Sequence, residues 1–278
     1  MEIKIPIDQE FSLLIVDKPD EATEYPTSRI QKGFVISKAG INLAEEAVGF
    51  GLPVLKRGLE TFFPRYLELE LLQADLSWVI HASYTINLVR VIMPSGTAHN
   101  SEKIFYAVQN ILAAIIRRTP IIRNALTAIS STLLERFGLN TTFETADFNA
   151  NVQVTYTFDE QNKTLEIETD LSRLPPSGID EAIVMNEQGA HFFDQYRDSS
   201  GVSISGKEIG IWDEVTAEEA TFASSSHRIA FSLHRMPGAR LYRGRELIGS
   251  RLAWAGFGYS FPPTTRKFSY TVKIETLP

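Results

Sequence analysis

From Ser77 to Leu88 the chain alternates. Trp78, Ile80, Ala82, Tyr84, Ile86 and Leu88 share one parity, and Ser77, His81, Ser83, Thr85 and Asn87 share the other. Successive side chains of a strand point to opposite faces, so the first set is predicted to face a core and the second a polar surface. The whole block up to about Pro94 reads the same way: "KGFVISKAG", "RYLELELL" and "LSWVIHASYTINLVRVI" are rich in β-branched and aromatic residues.

The period then changes. Phe105, Val108, Ile111, Leu112, Ile115 and Ile116 fall on one face of a 3.6-residue helix. Thr119-Pro120 supplies an N-cap and a proline at the first helical position. A second stripe through Ile122, Leu126, Ile129, Leu133 and Phe137 ends at Gly138. The spacing predicts a helical hairpin over 101–138. From Thr142 onward strands return. In "NVQVTYTFDEQNKTLEIETDLS", Val152, Val154, Tyr156 and Phe158 alternate, "DEQNK" turns, and Leu165, Ile167 and Thr169 alternate back. The closing "RKFSYTVKIETL" alternates too. Strands on both sides of one helical insert predict a mainly β fold, an antiparallel β-sandwich or supersandwich, rather than a βαβ fold. The chain is read as a single β-rich domain, 1–278, with 101–138 inserted.

Composition narrows the partners. At 278 residues and 44% hydrophobic, the chain can bury a large core. A net charge of −7 argues against a whole-molecule attraction to nucleic acid. Zero cysteines exclude disulfides, thiolate metal sites and a cysteine nucleophile, and fit a cytoplasmic protein. The N-terminus has no secretion-signal pattern, so the mature chain is expected to start there. The longest mainly apolar run, Ile104 to Ile116, falls short of the ~20 residues of a spanning helix. The hairpin, with Arg117, Arg118 and Arg123 at its bend, reads either as an interfacial membrane element or as a cover or subunit contact. Overall acidity opposes anionic lipid, so membrane binding is not expected, and the cover-or-contact reading leaves a homo-oligomer open.

Two Gly-Phe-Gly tripeptides pose the sharpest local question. Gly49-Phe50-Gly51 is followed by extended-looking Pro53-Val54-Leu55 rather than by a helix or a Lys-Ser/Thr pair, so it is not a phosphate cradle. Gly256-Phe257-Gly258 again lies between apolar strand-like residues. A bulge or close strand crossing is the simplest reading. The alternative exposes Phe50 or Phe257 at a cleft rim as a platform for a sugar.

Candidate chemistry rests on histidines and arginines. His81, Ser83 and Asn87 lie on the polar parity of their strand, which is either a sugar-reading surface or a solvated sheet face. In "HRIAFSLHRM", Ile229, Phe231 and Leu233 share one parity, and Arg228, Ser232 and His234 the other. Six arginines stand between His227 and Arg251 against the single acid Glu246, whereas Glu144 to Glu219 carries 17 acids against four Lys or Arg. Either the two segments neutralise each other as neighbouring strands, or the arginines line a cleft for carboxylate, phosphate or sulfate. No spacing for a metal site, a nucleophile elbow or a P-loop occurs, and no cofactor is expected.

The early "EEAVGFGLPVLKRG", the central "VQVTYTFDEQNKTLEIETDLS" hairpin and the late "FSYTVKI" strand together resemble the galactose mutarotase-like β-supersandwich group, which includes sugar epimerases and the sandwich domains of polysaccharide lyases and glycosidases. The resemblance covers the strand blocks and leaves out 101–138. It implies the fold and a carbohydrate-related role. The mutarotases of that group use a histidine acid and a late glutamate base. The late glutamates here, Glu246 in the arginine-rich segment and Glu275 near the end, form no acidic motif.

The leading expectation is therefore a sugar or anionic sugar derivative bound or processed in a cleft joining His81, Arg228 and His234, with the two histidines as acid–base groups. The alternative is an assembly protein that uses the hairpin as its interface.

Overall fold

A computed structural model of the chain describes residues 1–16, 32–45, 47–57, 60–74, 77–94, 139–174, 178–248 and 252–277. The expected helical hairpin at 101–138 lies outside the described residues. The chain divides into two compact units, Met1–Leu88 with Thr145–Pro278, and Val89–Glu144. Of the second, strand residues 89–94 and 139–144 are described.

Among the described residues the regular elements are strands, apart from a single 3-10 turn at Gly206–Ile209. A four-stranded antiparallel sheet has the order β1 (Glu2–Pro6), β2 (Phe11–Val16), β3 (Val35–Lys38), β4 (Ile41–Asn42). A second sheet of 14 strands begins, in spatial order, with β12 (Ser203–Ser205), β11 (Gln195–Asp198), β14 (Glu219–Ala223), β15 (Ile229–His234), β18 (Lys267–Thr276), β9 (Thr164–Asp170) and β8 (Leu139–Asp159). It continues with β7 (Ser77–Pro94), β6 (Glu60–Ala74), β5 (Gly49–Arg57), β10 (Glu181–Gly189), β17 (Leu252–Phe261), β16 (Arg240–Ile248) and β13 (Asp213–Glu214).

This ribbon doubles over on itself. Phe257 of β17 meets Phe222 of β14 at 4.8 Å between ring centroids, and Phe50 of β5 meets Phe231 of β15 at 5.0 Å. Tyr259 of β17 meets Tyr270 of β18 at 4.7 Å. Strands far apart in hydrogen-bond order thus share one aromatic core, as in a β-sandwich. The hairpin read from the sequence is β8–β9: Phe158 pairs Leu165, Tyr156 pairs Ile167, and all four are fully buried. The turn forms because the Asp159 carboxylate accepts the backbone N–H groups of Gln161 and Asn162.

The Gly-Phe-Gly question is answered by register. Both tripeptides flank β10, and Asn186 is the paired residue of Phe50 on one side and of Phe257 on the other. A bulge interrupts the β10–β5 ladder between Met185 and Asn186, and Gly51 is its extra residue. Gly51 has φ +85, and a Cβ there would come within 2.6 Å of the Tyr156 ring. Its N–H donates to Asn186 Oδ1 at 3.2 Å, and the Tyr156 hydroxyl donates to the carbonyls of Phe50 and Gly51. Phe50 and Phe257 are both 0% exposed. The rim-platform alternative is therefore corrected: each phenyl ring points into the sandwich because its parity is that of the core face.

Gln188 fastens the small sheet to β10. Its side-chain carbonyl accepts Ile36 N–H at 2.9 Å and its amide donates to the Phe34 carbonyl at 3.2 Å. Val35, Ala44 and Ala47 then pack on Trp254, which stands on the outer face of β17. That packing covers the Trp254 end of the face.

Candidate functional site

Alternation along β10 sets the site. Ala182, Val184 and Asn186 face the core, so Glu181, Ile183 and Met185 face outward. Register adds their neighbours on the same face. Glu181 pairs Lys56 of β5; Ile183 pairs Val54 of β5 and Ser260 of β17; Ser260 pairs Arg240 of β16; and Gly258 pairs both Met185 and Tyr242. With Thr61 and Phe63 of β6 and Trp212 from the segment before β13, these residues line a groove of about 440 Å³.

The groove has an apolar floor and a charged centre. Glu181 Oε1 lies 3.4 Å from the Arg240 guanidinium and also accepts the Ser260 hydroxyl, while Oε2 lies 3.7 Å from Lys56 Nζ. One carboxylate is thus gripped from the strands on both its sides. Arg240 also lies over the Tyr242 ring at 5.5 Å. Burial raises the Tyr242 hydroxyl above its ordinary pKa, against Arg240 and with help from Glu214 and Glu181, so it stays a neutral donor at neutral pH. Trp212 stacks on Trp254 at 4.9 Å and adopts φ +56, a conformation that costs a side-chain-bearing residue strain. Gly258 makes room for it, because a Cβ there would meet the Trp212 ring at 2.7 Å. Beyond Glu181, Arg240 and Ser260, a second depression of about 580 Å³ continues over Asp180, Gly238 and Pro262. A face with fixed donors and acceptors among aromatic and aliphatic surfaces can bind a hydroxyl-rich ligand without a metal or cofactor.

The residues singled out from the sequence are dispersed. His81 is exposed on β7 with Ser83 and Thr85 half-buried on the same parity, and Ile80, Ala82, Tyr84 and Ile86 are buried on the other. The side chain of Asn87 lies outside the described residues. Arg228 sits in the turn before β15, at φ +58, beside a depression of about 370 Å³ lined also by Lys38 and His227. His234 is the last residue of β15 and borders a different depression of about 250 Å³ with Tyr259 and Tyr270. Six residue steps carry the chain about 20 Å from Arg228 to His234 at ~3.4 Å per residue, so shared parity does not bring them together. Nor is that parity a polar face, since Ser232 is 3% exposed and Ala230 0%.

Acidic and basic segments do meet. Arg235 pairs with Glu218 at 4.0 Å, Arg240 with Glu181 at 3.4 Å, and Arg243 with Asp198 at 3.9 Å. Mutual neutralisation and a cleft coincide at Arg240. What the sequence reading missed is Glu181, Lys56, Phe63, Trp212 and Tyr242. Glu181 opens a run, "EAIVMNEQG", with no wet parity to reveal its outward side chain. Trp212 is placed by a loop conformation rather than by a strand period. A further pair, His191 Nδ1 and Glu45 Oε1 at 2.5 Å, lies apart from the groove residues in sequence; Glu45 also accepts the His191 backbone N–H, tying the 43–45 segment to the turn after β10.

No helix among the described residues is long and apolar enough to cross a membrane. No protein-family model matches the chain, and no curated protein matches its sequence. Solved structures do. An alpha-N-acetylgalactosaminidase from Bifidobacterium bifidum, in complex with GalNAc, is 11% identical with a TM-score of 0.50; the match covers 99% of this chain and 36% of that one. An alpha-mannosidase from Enterococcus faecalis is 8% identical (99% and 29% covered, TM-score 0.47). A galactose mutarotase-like protein from Lactobacillus casei is 9% identical (99% of both chains, TM-score 0.39). The chain thus spans about a third of the length of the first structure it matches. At that TM-score of 0.50 and low identity, this chain is similar in fold to part of the alpha-N-acetylgalactosaminidase.

Proposed function

We propose that the protein is carbohydrate-related and binds a sugar in the outer-face groove, with Glu181 as the central acceptor of ligand hydroxyls. The observation that carries this reading is the arrangement around Glu181. A carboxylate held by Lys56, Arg240 and Ser260 over an apolar floor keeps fixed lone pairs beside aliphatic and aromatic surface. The GalNAc complex of a protein with a similar fold supports a sugar as the ligand class. The cysteine-free sequence fits a cytoplasmic setting.

Calorimetric titration with GalNAc, galactose, mannose and galacturonate tests this, comparing wild type with Glu181→Ala. Losing a charge-assisted acceptor of this kind costs about 1.5–3 kcal/mol, roughly tenfold to a hundredfold in Kd. Absence of binding to the whole panel, or binding that Glu181→Ala leaves intact, overturns the assignment.

A second reading, an assembly protein, is favoured by one feature. Leu71 and Leu72 of β6 are adjacent and 40% and 49% exposed. Light scattering across concentration decides it: a stable oligomer that Leu72→Ser dissolves supports assembly, and a monomer throughout rejects it.

A further inference from the structure

We infer that the groove takes several linked units of a linear oligosaccharide rather than a single sugar, an inference that rests on the sugar-binding reading above. Its lining comes from five consecutive strands, β6, β5, β10, β17 and β16, but from only two or three positions on each. It therefore runs across the strands. Four inter-strand steps at ~4.8 Å give a span of about 19 Å, longer than one hexose ring. Along the strands, at ~3.4 Å per residue, Val54 to Lys56 covers about 7 Å and Glu181 to Met185 about 14 Å, so the groove is longer across the strands than along them.

The chemistry is distributed to match. Phe63 stands at the β6 end, Tyr242 and Trp212 at the β16 end, and the polar cluster of Lys56, Glu181 and Ser260 between them. No single ring can lie on Phe63 and Tyr242 at once. Two aromatic ends with hydrogen-bonding groups in the middle are what several linked sugars use, each ring offering an apolar face and a hydroxyl edge. On its Glu181 side the groove continues into the second depression, because Glu181, Arg240 and Ser260 border both, past Gly238 and Pro262. A chain longer than the groove can run on over that side. Within the two depressions Lys56 and Arg240 are matched by Glu181 and Asp180, so the groove imposes no net charge and suits a neutral chain.

The test compares mannose, galactose and galacturonate, each as the monosaccharide and as a linear tetrasaccharide, by calorimetry. A tetrasaccharide of at least one neutral series is expected to bind about tenfold or more tightly than its monosaccharide, the gain of one further stacked ring. Phe63→Ala and Tyr242→Ala, checked as folded by circular dichroism, are each expected to remove most of that gain, weakening the tetrasaccharide by a larger factor than the monosaccharide. Equal affinity for monomer and tetramer overturns the inference and leaves the sugar-binding reading standing, as does a gain that neither aromatic substitution reduces or that only galacturonate shows. Binding of no sugar in the panel overturns both.

Discussion

The Tyr270 hydroxyl donates to Asn186 Oδ1 at 2.7 Å, joining two strands that face each other across the sandwich. Asn186 is also where the bulge at Gly51 is anchored, through Gly51 N–H at 3.2 Å. One buried amide therefore ties the doubled ribbon together and holds the irregularity in β5, next to the strand that aims Glu181 outward. Removing it strands two buried donors, each at about 1–3 kcal/mol. Asn186→Leu is expected to destabilise by more than Tyr270→Phe, which strands none and removes one hydrogen bond of about 1 kcal/mol. Urea unfolding of the two variants checks the order, and equal losses would show that the Gly51 bond contributes nothing.

Phe257 decides between core and ligand platform for the Gly-Phe-Gly tripeptides. Its ring touches Phe222 and Phe231 and is fully buried. Phe257→Ala is expected to cost about 3–5 kcal/mol of stability by cavity formation, read from the denaturant midpoint. A variant of wild-type stability with reduced sugar affinity would restore the platform.

Acid should loosen the edge where Tyr196, Asp198 and Arg243 meet. The Asp198 side chain is 6% exposed. Burial raises its pKa, but hydrogen bonds from Ser200, Tyr196 and the Val202 N–H outweigh burial and hold it below the usual value. A depressed carboxylate contributes stability that is present above the unfolded value of about 3.9 and lost as pH falls through the folded one. Asp159 and Asp170 are depressed as well. Stability measured by urea midpoint is thus expected to fall below about pH 4. Asp198→Asn should be less stable at pH 7 and lose less on acidification, and an unchanged acid slope in that variant would remove Asp198 from the cause.

Where one face of a strand is wet, the sequence was readable. Tyr84 and His81 in β7, and Tyr156 and Ile167 in β8–β9, lie as alternation predicts because burial there follows a period of two. The arginine–histidine strand was misread for the opposite reason. Ser232 and Ala230 are covered like Phe231, so polarity at Arg228 and His234 marks strand ends and not a face. The groove was out of reach because it is made by register. Glu181 meets Lys56 and Arg240 only through ladders linking residues 59 to 125 positions apart, which no local pattern encodes. Long-range pairing also sets Asn186 between the two identical tripeptides, a relationship that the neighbours of neither tripeptide in sequence encode.

The most direct measurement is backbone amide shift mapping of the protein during titration with the tightest-binding sugar of the panel. If the groove is the site, the shifted amides cluster in 54–56, 61–63, 181–185, 240–242 and 258–260, and the cluster disappears in Glu181→Ala. Shifts confined instead to the exposed parity of β7 around His81, or to the turn carrying Arg228, would contradict the assignment.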